Sequence, residues 1–179
     1  DEAGRGPLAG DVYAAAVILN PDDIIEEIND SKKLSEKKRE MLFDVIKEKA
    51  VSWCIATASV EEIEEINILN AAMLAMKRAV SGLDVRPEFV LVDGNKIPDG
   101  LEIKADCLVK GDALSASIGA ASILAKVARD RYMKEIALKY PEYGFEKHKG
   151  YGTKQHREAL LKYGPCPVHR MSFLKKILG

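Results

Sequence analysis

The residues with the clearest capacity for chemistry stand together in Asp1-Glu2-Ala3-Gly4-Arg5-Gly6-Pro7-Leu8-Ala9-Gly10. Adjacent carboxylates are costly to place together unless something cationic sits between them. Glycines at this density let a backbone approach a ligand closely and offer it N–H groups. Carboxylates, bare backbone and one arginine together point to a metal next to a phosphate. Two more acids fit this chemistry: Asp93 in Val92-Asp93-Gly94 and Asp112 in Lys110-Gly111-Asp112, each just past the end of an expected strand. Carboxylates at the strand termini of a single sheet can converge across its edge. Four of them can hold two hard divalent cations about 4 Å apart, clamping the attacking and leaving oxygens of phosphodiester cleavage. Singly, Asp-Gly and Gly-Asp are ordinary turn dipeptides. Their weight comes from Asp1-Glu2.

Other chemistries fit poorly. Gly4-x-Gly6 is followed by three residues before Gly10, not two, and precedes its strand, so it is not a dinucleotide fingerprint. There is no P-loop. The three histidines lack a Ser or Cys nucleophile in a recognisable elbow, so triad chemistry is unsupported. Cys166 and His169 could supply two zinc ligands but have no second pair nearby. His148-Lys149-Gly150-Tyr151-Gly152 is basic, aromatic and glycine-flexed. Tyr151 could stack on a sugar or base while Lys147 and Lys149 meet phosphates, the bland alternative being a solvated loop with a half-buried tyrosine.

The elements that must position these residues read as follows. Residues 12–19 form an apolar run bounded by Gly10-Asp11 and Asn20-Pro21, a buried strand in which three alanines leave a short helix open. Residues 21–28 carry Pro and acids at their start and suit a short helix. Residues 29–34 are a polar loop, and Ser35 caps a helix reaching about Ala50. Residues 51–58 read as a second strand. Ser59-Val60-Glu61-Glu62 is a capping box opening a long helix that Gly82 ends. Residues 88–92 and 103–109 are short strands, and a further long helix spans about 115–140, stopped by Pro141. A basic loop, a helix over 153–163, a Gly-Pro-Cys-Pro break and a short terminal helix complete the chain. The expectation is one mixed α/β domain over residues 1–179.

Composition bounds the class. With 179 residues, 47% hydrophobic and 31% charged, the chain suits one soluble domain. No run approaches the ~20 apolar residues needed to cross a bilayer. Three cysteines without paired spacing argue for reduced thiols and a cytosolic setting. Residues 121–179 hold 13 Lys and Arg against 5 Asp and Glu, a net of +8, whereas residues 1–120 carry −9. That polarisation provides a basic surface for a polyanion, although uneven helix surfaces would look the same. The opening on Asp, without Met and inside the most informative motif, reads as a segment of a longer protein.

At this point the residues resemble a known family. The first ten residues, Asn29-Asp30-Ser31-Lys32-Lys33-Leu34, Val92-Asp93-Gly94 and Val109-Lys110-Gly111-Asp112 look like bacterial ribonuclease HII. So do residues 120–127, Arg129-Asp130 and His148-Lys149-Gly150-Tyr151, all in the family's order. The resemblance implies a ribonuclease H-like fold, a mixed sheet flanked by helices with a small helical C-terminal part. It implies a metal-dependent endonuclease that cuts RNA paired with DNA and nicks 5′ of a single ribonucleotide embedded in duplex DNA, leaving 3′-OH and 5′-phosphate ends. Asp1, Glu2, Asp93 and Asp112 match the acidic cluster that binds Mg²⁺ or Mn²⁺. Gly4, Arg5 and Gly6 match the loop that reads the ribose 2′-OH, Tyr151 the tyrosine that stacks on the following deoxyribose, and Lys32 or Lys33 a phosphate contact. The 2′-OH is the handle separating RNA from DNA at one nucleotide.

Ribonuclease HIII normally has Lys in place of Arg5 and an extra N-terminal domain, so type HII is preferred. The implied partners are RNA–DNA hybrid and ribonucleotide-containing duplex; the protein is expected to be a monomer without a membrane, with any replication-clamp contact outside this segment. Two departures stand out. The segment that completes the first strand before the first Asp is absent, and Asp11 replaces the more usual Pro or Ala, where it is expected to perturb the turn into the strand. The rival readings are a hybrid-binding module that no longer cuts and a nuclease of the same fold acting on a different substrate, such as a DNA junction.

Overall fold

The computed structural model describes residues 1–28 and 31–179; Asn29 and Asp30, in the expected polar loop, lie outside the described residues. Strands β1 (Glu2–Ala3), β2 (Val12–Ile18) and β3 (Ser52–Ala58) form an antiparallel ladder in that order. β4 (Phe89–Asp93) and β5 (Lys104–Leu108) pair in parallel. Helices α1 (Glu36–Lys49) and α4 (Ala116–Lys139) pack on one face of the antiparallel ladder, and α2 (Val60–Ser81) packs on the other.

The strand β2 shows why. Its even-numbered residues Val12, Ala14 and Ala16 belong to the α2 core, while Ala15 and Val17 belong to the core under α1 and α4. A strand buried on both faces needs a continuous apolar run, not alternation. The alanines let both helices approach closely.

The strands do not all join one hydrogen-bonded sheet. A mostly apolar cleft of about 450 Å³, lined by Ala16, Val17, Ile18, Val90 and Leu91 among others, separates β2 from β4. The mixed sense of the strands is as expected, but Glu2 and Asp93 sit on two separate ladders instead of the edge of one.

Most helix starts follow local capping chemistry. Ser35 accepts from the Lys38 amide at 3.2 Å and begins α1. Ser59 accepts from the Glu62 amide, and Glu62 accepts from the Ser59 amide at 2.9 Å, so the capping box is complete. Asp11 adds to it: its carboxylate accepts from the Val60 amide at 3.0 Å and ties the turn before β2 to the start of α2.

Two local expectations fail. Residues 21–28 form turns, not a helix; Asn20 accepts from the Asp22 amide at 3.0 Å, and Glu27 lies at φ +70°, outside the right-handed helical region. Within α2, Asn67 sits at φ +68° and breaks the helix, and its side chain accepts from the Asn70 amide at 3.0 Å, recapping the second half.

The C-terminal part is built on α5 (Phe145–His148), α6 (Lys154–Tyr163) and α7 (Met171–Leu178). Phe145, Leu160 and Leu174 form its core with Met133 of α4. All three histidines are buried here. His148 and His156 stack with centroids 4.4 Å apart, and the Nε2 atoms of His156 and His169 meet at 2.9 Å. Burial holds both His156 and His169 down to about 4.

Two outcomes follow from these groups. The Arg78 guanidinium and the Ser59 amide hold the Glu62 carboxyl down to about 2, so its stabilisation is complete above about pH 4.5 and is lost as pH falls toward 2. Denaturant unfolding of wild type and Glu62→Gln should differ most at neutral pH and converge below pH 3. An unfolded histidine titrates near 6.5, so between pH ~6.5 and 4 the unfolded chain binds protons that His156 and His169 refuse in the fold. Stability should therefore fall across that window on acidification, and a melting-temperature series should show a shallower fall for His156→Gln.

Candidate active site

A cavity of about 440 Å³ collects residues from both ends of the chain: Asp1, Glu2, residues 4–6, Asp93 and Tyr151 line it, with Arg39, Lys126 and Arg129 among their neighbours. Each acid is placed by its backbone. Asp1 exchanges two backbone hydrogen bonds with Ala15, at 3.1 and 2.9 Å, and Glu2 pairs in register with Ala14. Asp93 is the last residue of β4, and its Oδ1 accepts from the Gly111 amide at 2.8 Å. A Cβ on Gly111 would meet the Ile118 Cδ1 methyl at 2.5 Å and Leu108 Cβ at 3.1 Å, so a larger residue here would push on the side chains around this approach.

Asp112 is positioned differently from the expectation. It belongs to the short helix α3 (Gly111–Leu114), is 2% exposed and does not line the cavity. Ser31, which does line it, lies 3.4 Å from Asp112 Oδ2 and 3.3 Å from Ser122 Oγ. Lys33 is exposed and away from the cavity lining, and the side chain of Lys32 lies outside the described residues. Among the described residues, then, three of the four expected acids share one cavity and Asp112 stands behind Ser31.

The donor set suits a hard divalent cation. All candidate ligands are carboxylate oxygens, and Glu2 Oε2 is buried without a hydrogen-bond partner among the described residues. No group of three or more His, Cys, Asp or Glu residues is gathered closely enough to hold a metal among the described residues, so coordination requires the carboxylates to close up. Arg5 Nη1 lies 3.5 Å from Glu2 Oε1 at a half-exposed position, a weak pair that a cation could replace.

The glycine loop is held from beneath by two buried arginines. Arg170 donates to the carbonyls of Gly4, Arg5, Pro7 and Gly10 at 2.7, 3.1, 2.8 and 2.9 Å. Arg129 donates to those of Ala9, Asp11 and Lys149 at 2.9, 3.1 and 2.9 Å. Burial, with Arg129 beside it, pulls the Arg170 guanidinium down to about 9, still protonated at neutral pH. Gly4 has φ +96°, and a Cβ there would meet Arg129 Nε at 2.1 Å, so glycine is required on both grounds. At Gly6 the requirement is weaker, since a Cβ would sit 3.5 Å from the Tyr151 ring, an ordinary contact. The amides of residues 4–6 donate to no other described residue, while the loop carbonyls face the arginines.

Sequence reasoning missed Ser31 as a link to Asp112, and both arginines. Arg129 carried a signal: with Ala125 and Met133 it repeats at four residues along a buried helix face, where a charge is out of place. Arg170 carried none.

The sequence profile of the family "Ribonuclease HII" matches residues 1–176. The "Ribonuclease HII" of Marinomonas sp. (strain MWYL1) is 62% identical over 99% of this chain and 90% of that protein. The ribonuclease H2 from Pyrococcus horikoshii OT3 superposes with a TM-score of 0.79 at 27% identity, covering 96% of this chain and 90% of that one. The RNase HII in the PCNA:RNase HII complex from Archaeoglobus fulgidus gives 0.82 at 24% identity, covering 100% and 95%. Bst-RNase HIII in complex with Mn²⁺ gives 0.72 at 17% identity, covering 92% and 61%. The last two bear on the fold alone, which is ribonuclease H-like in all. With its acids, glycine loop and tyrosine around one cavity and a profile match along nearly its whole length, the chain belongs to the ribonuclease HII family, endonucleases that hydrolyse RNA paired with DNA.

Proposed function

We propose that this enzyme cuts RNA within hybrids and also nicks duplex DNA on the 5′ side of a single embedded ribonucleotide, leaving 3′-OH and 5′-phosphate ends. The observation that carries this reading is the shared cavity, where Asp1, Glu2 and Asp93 meet both residues 4–6 and Tyr151. The chemistry and the recognition of one nucleotide are thereby in reach of each other.

In this reading the outward amides of residues 4–6 bond the ribose 2′-OH, and no side chain at Gly4 or Gly6 blocks the approach. The exposed ring of Tyr151 packs on the next sugar, where a second 2′-OH would be unwelcome. Arg5 meets the phosphate once released from Glu2, and Lys32 and Lys33 are assigned flanking phosphates. Asp1, Glu2, Asp93 and, after a local shift, Asp112 would hold Mg²⁺ or Mn²⁺, which when bound supplies an activated water and charge stabilisation at the phosphate. The basic C-terminal third lies along the duplex backbone and makes binding salt-dependent. The clamp contact implied by the resemblance has no residue assigned to it within residues 1–179.

The test is incubation with Mg²⁺ or Mn²⁺ and a duplex carrying one ribonucleotide. A nick on its 5′ side is expected, slowed by roughly 100-fold or more in Asp93→Asn, with the all-DNA duplex left intact. Tight binding without a nick would instead favour a binding module. Equal cutting of all-DNA duplex would remove the 2′-OH reading of residues 4–6.

A further inference from the structure

The glycine loop and Tyr151 come from opposite ends of the chain, and neither sits in a long helix or strand. Both are nevertheless tied to the same two adjacent residues. Arg170 reaches the loop through its four hydrogen bonds to the carbonyls of Gly4, Arg5, Pro7 and Gly10. His169 reaches Tyr151 through His156, and the tautomers are fixed by the partners. His156 Nδ1 lies 2.9 Å from the Tyr151 carbonyl, which only accepts, so Nδ1 carries the proton and Nε2 is an acceptor. His169 Nδ1 accepts the Cys166 amide at 2.9 Å, leaving its proton on Nε2, which donates to His156 Nε2. The relay therefore runs from Cys166 through two neutral imidazoles to the Tyr151 carbonyl, with every polar atom satisfied.

The backbone joins the two arms. Arg170 donates its amide to Leu8, Gly10 donates to Val168, and Leu8 donates to Gly150, each at 2.8 Å. Ala9 and His169 form a bridge. His169 and Arg170 are almost wholly buried and neither lines the cavity. A general packing role would need no such division of labour between neighbouring side chains.

We infer that His169 and Arg170 are positioning residues that fix the spacing between the glycine loop and Tyr151, and through it the enzyme's preference for a ribose-to-deoxyribose junction over continuous hybrid RNA. This rests on the reading of the loop and Tyr151 given under Proposed function. A junction engages both contacts at once and needs their spacing; within continuous RNA the sugar after the cut carries a 2′-OH and gains nothing from Tyr151. Lysine at position 170 keeps the charge but cannot hold four carbonyls in a planar fork. Glutamine at position 169 keeps an N–H donor toward His156, and leucine does not.

The experiment compares kcat/KM on a single-ribonucleotide duplex with kcat/KM on a continuous hybrid, for wild type, Arg170→Lys, His169→Gln and His169→Leu. Melting curves report the folded fraction, and the heat of Mn²⁺ binding reports the acids. The ratio is expected to fall roughly tenfold or more in Arg170→Lys and His169→Leu, since a displacement of about 1 Å is costly in a positioned site. His169→Gln should retain most of it, and Mn²⁺ binding should be unchanged in all. Equal losses on both substrates, tracking the folded fraction, would overturn the inference in favour of a merely structural role. If Arg170→Lys does not fold, the His169 pair decides alone, and an unaltered ratio in folded His169→Leu overturns it. A wild type with no junction preference would instead fail the reading of Tyr151, so the two failures are distinguishable.

Discussion

A guanidinium buried without a carboxylate needs hydrogen-bond acceptors for its N–H groups. Arg129 and Arg170 find them in seven backbone carbonyls, six in the segment between β1 and β2 and the seventh that of Lys149. Removing either one would leave several buried carbonyls unpaired, each at about 1–3 kcal/mol. The consequence for the site is directional. With its carbonyls bonded to the arginines, the loop keeps the amides of residues 4–6 without another described partner. A glycine-rich segment, the least constrained kind of backbone, is thereby made rigid at the place where a nucleotide has to be read.

The same constraint organises the neighbours. Because the Arg129 side chain fills the space beside Gly4 and also binds the Lys149 carbonyl, the loop and the segment before Tyr151 are held by one side chain. The histidine cluster of the C-terminal part holds the other side of that segment. The acids depend on different elements: β1 for Asp1 and Glu2, the end of β4 for Asp93, and α3 for Asp112. Recognition and catalysis thus draw on different elements that meet at one cavity.

How legible this was in the sequence depended on the range of the interaction. Ser59 with Glu62, and Ser35 before α1, are capping signals complete within four residues, and the structure has them where they were read. β2 and β4 were legible because they are short apolar runs with clear stops. Residues 21–28 carried the composition of a helix start but no apolar face long enough to keep it, and the Asn20 side chain favoured a turn. Asn67 looked like an interior position of α2 and is a second cap. At the site, Asp1, Glu2 and Asp93 were found because their motifs are local. The retreat of Asp112 behind Ser31, the role of Asp11 as a cap for α2 and the grip of Arg170 are long-range contacts with no periodic signature, and only the folded chain brings them together.

The central claim is that the backbone of residues 4–6 recognises the 2′-OH by hydrogen bonding. The most direct measurement replaces that hydroxyl with fluorine at the single ribonucleotide of a DNA duplex, preserving size while removing the donor and leaving only a weak acceptor. Single-turnover incision in Mn²⁺ should slow by roughly 100-fold relative to the ribonucleotide, the scale of losing a charge-stabilising contact in a preorganised site. Incision of the 2′-fluoro duplex at close to the ribonucleotide rate would contradict the account.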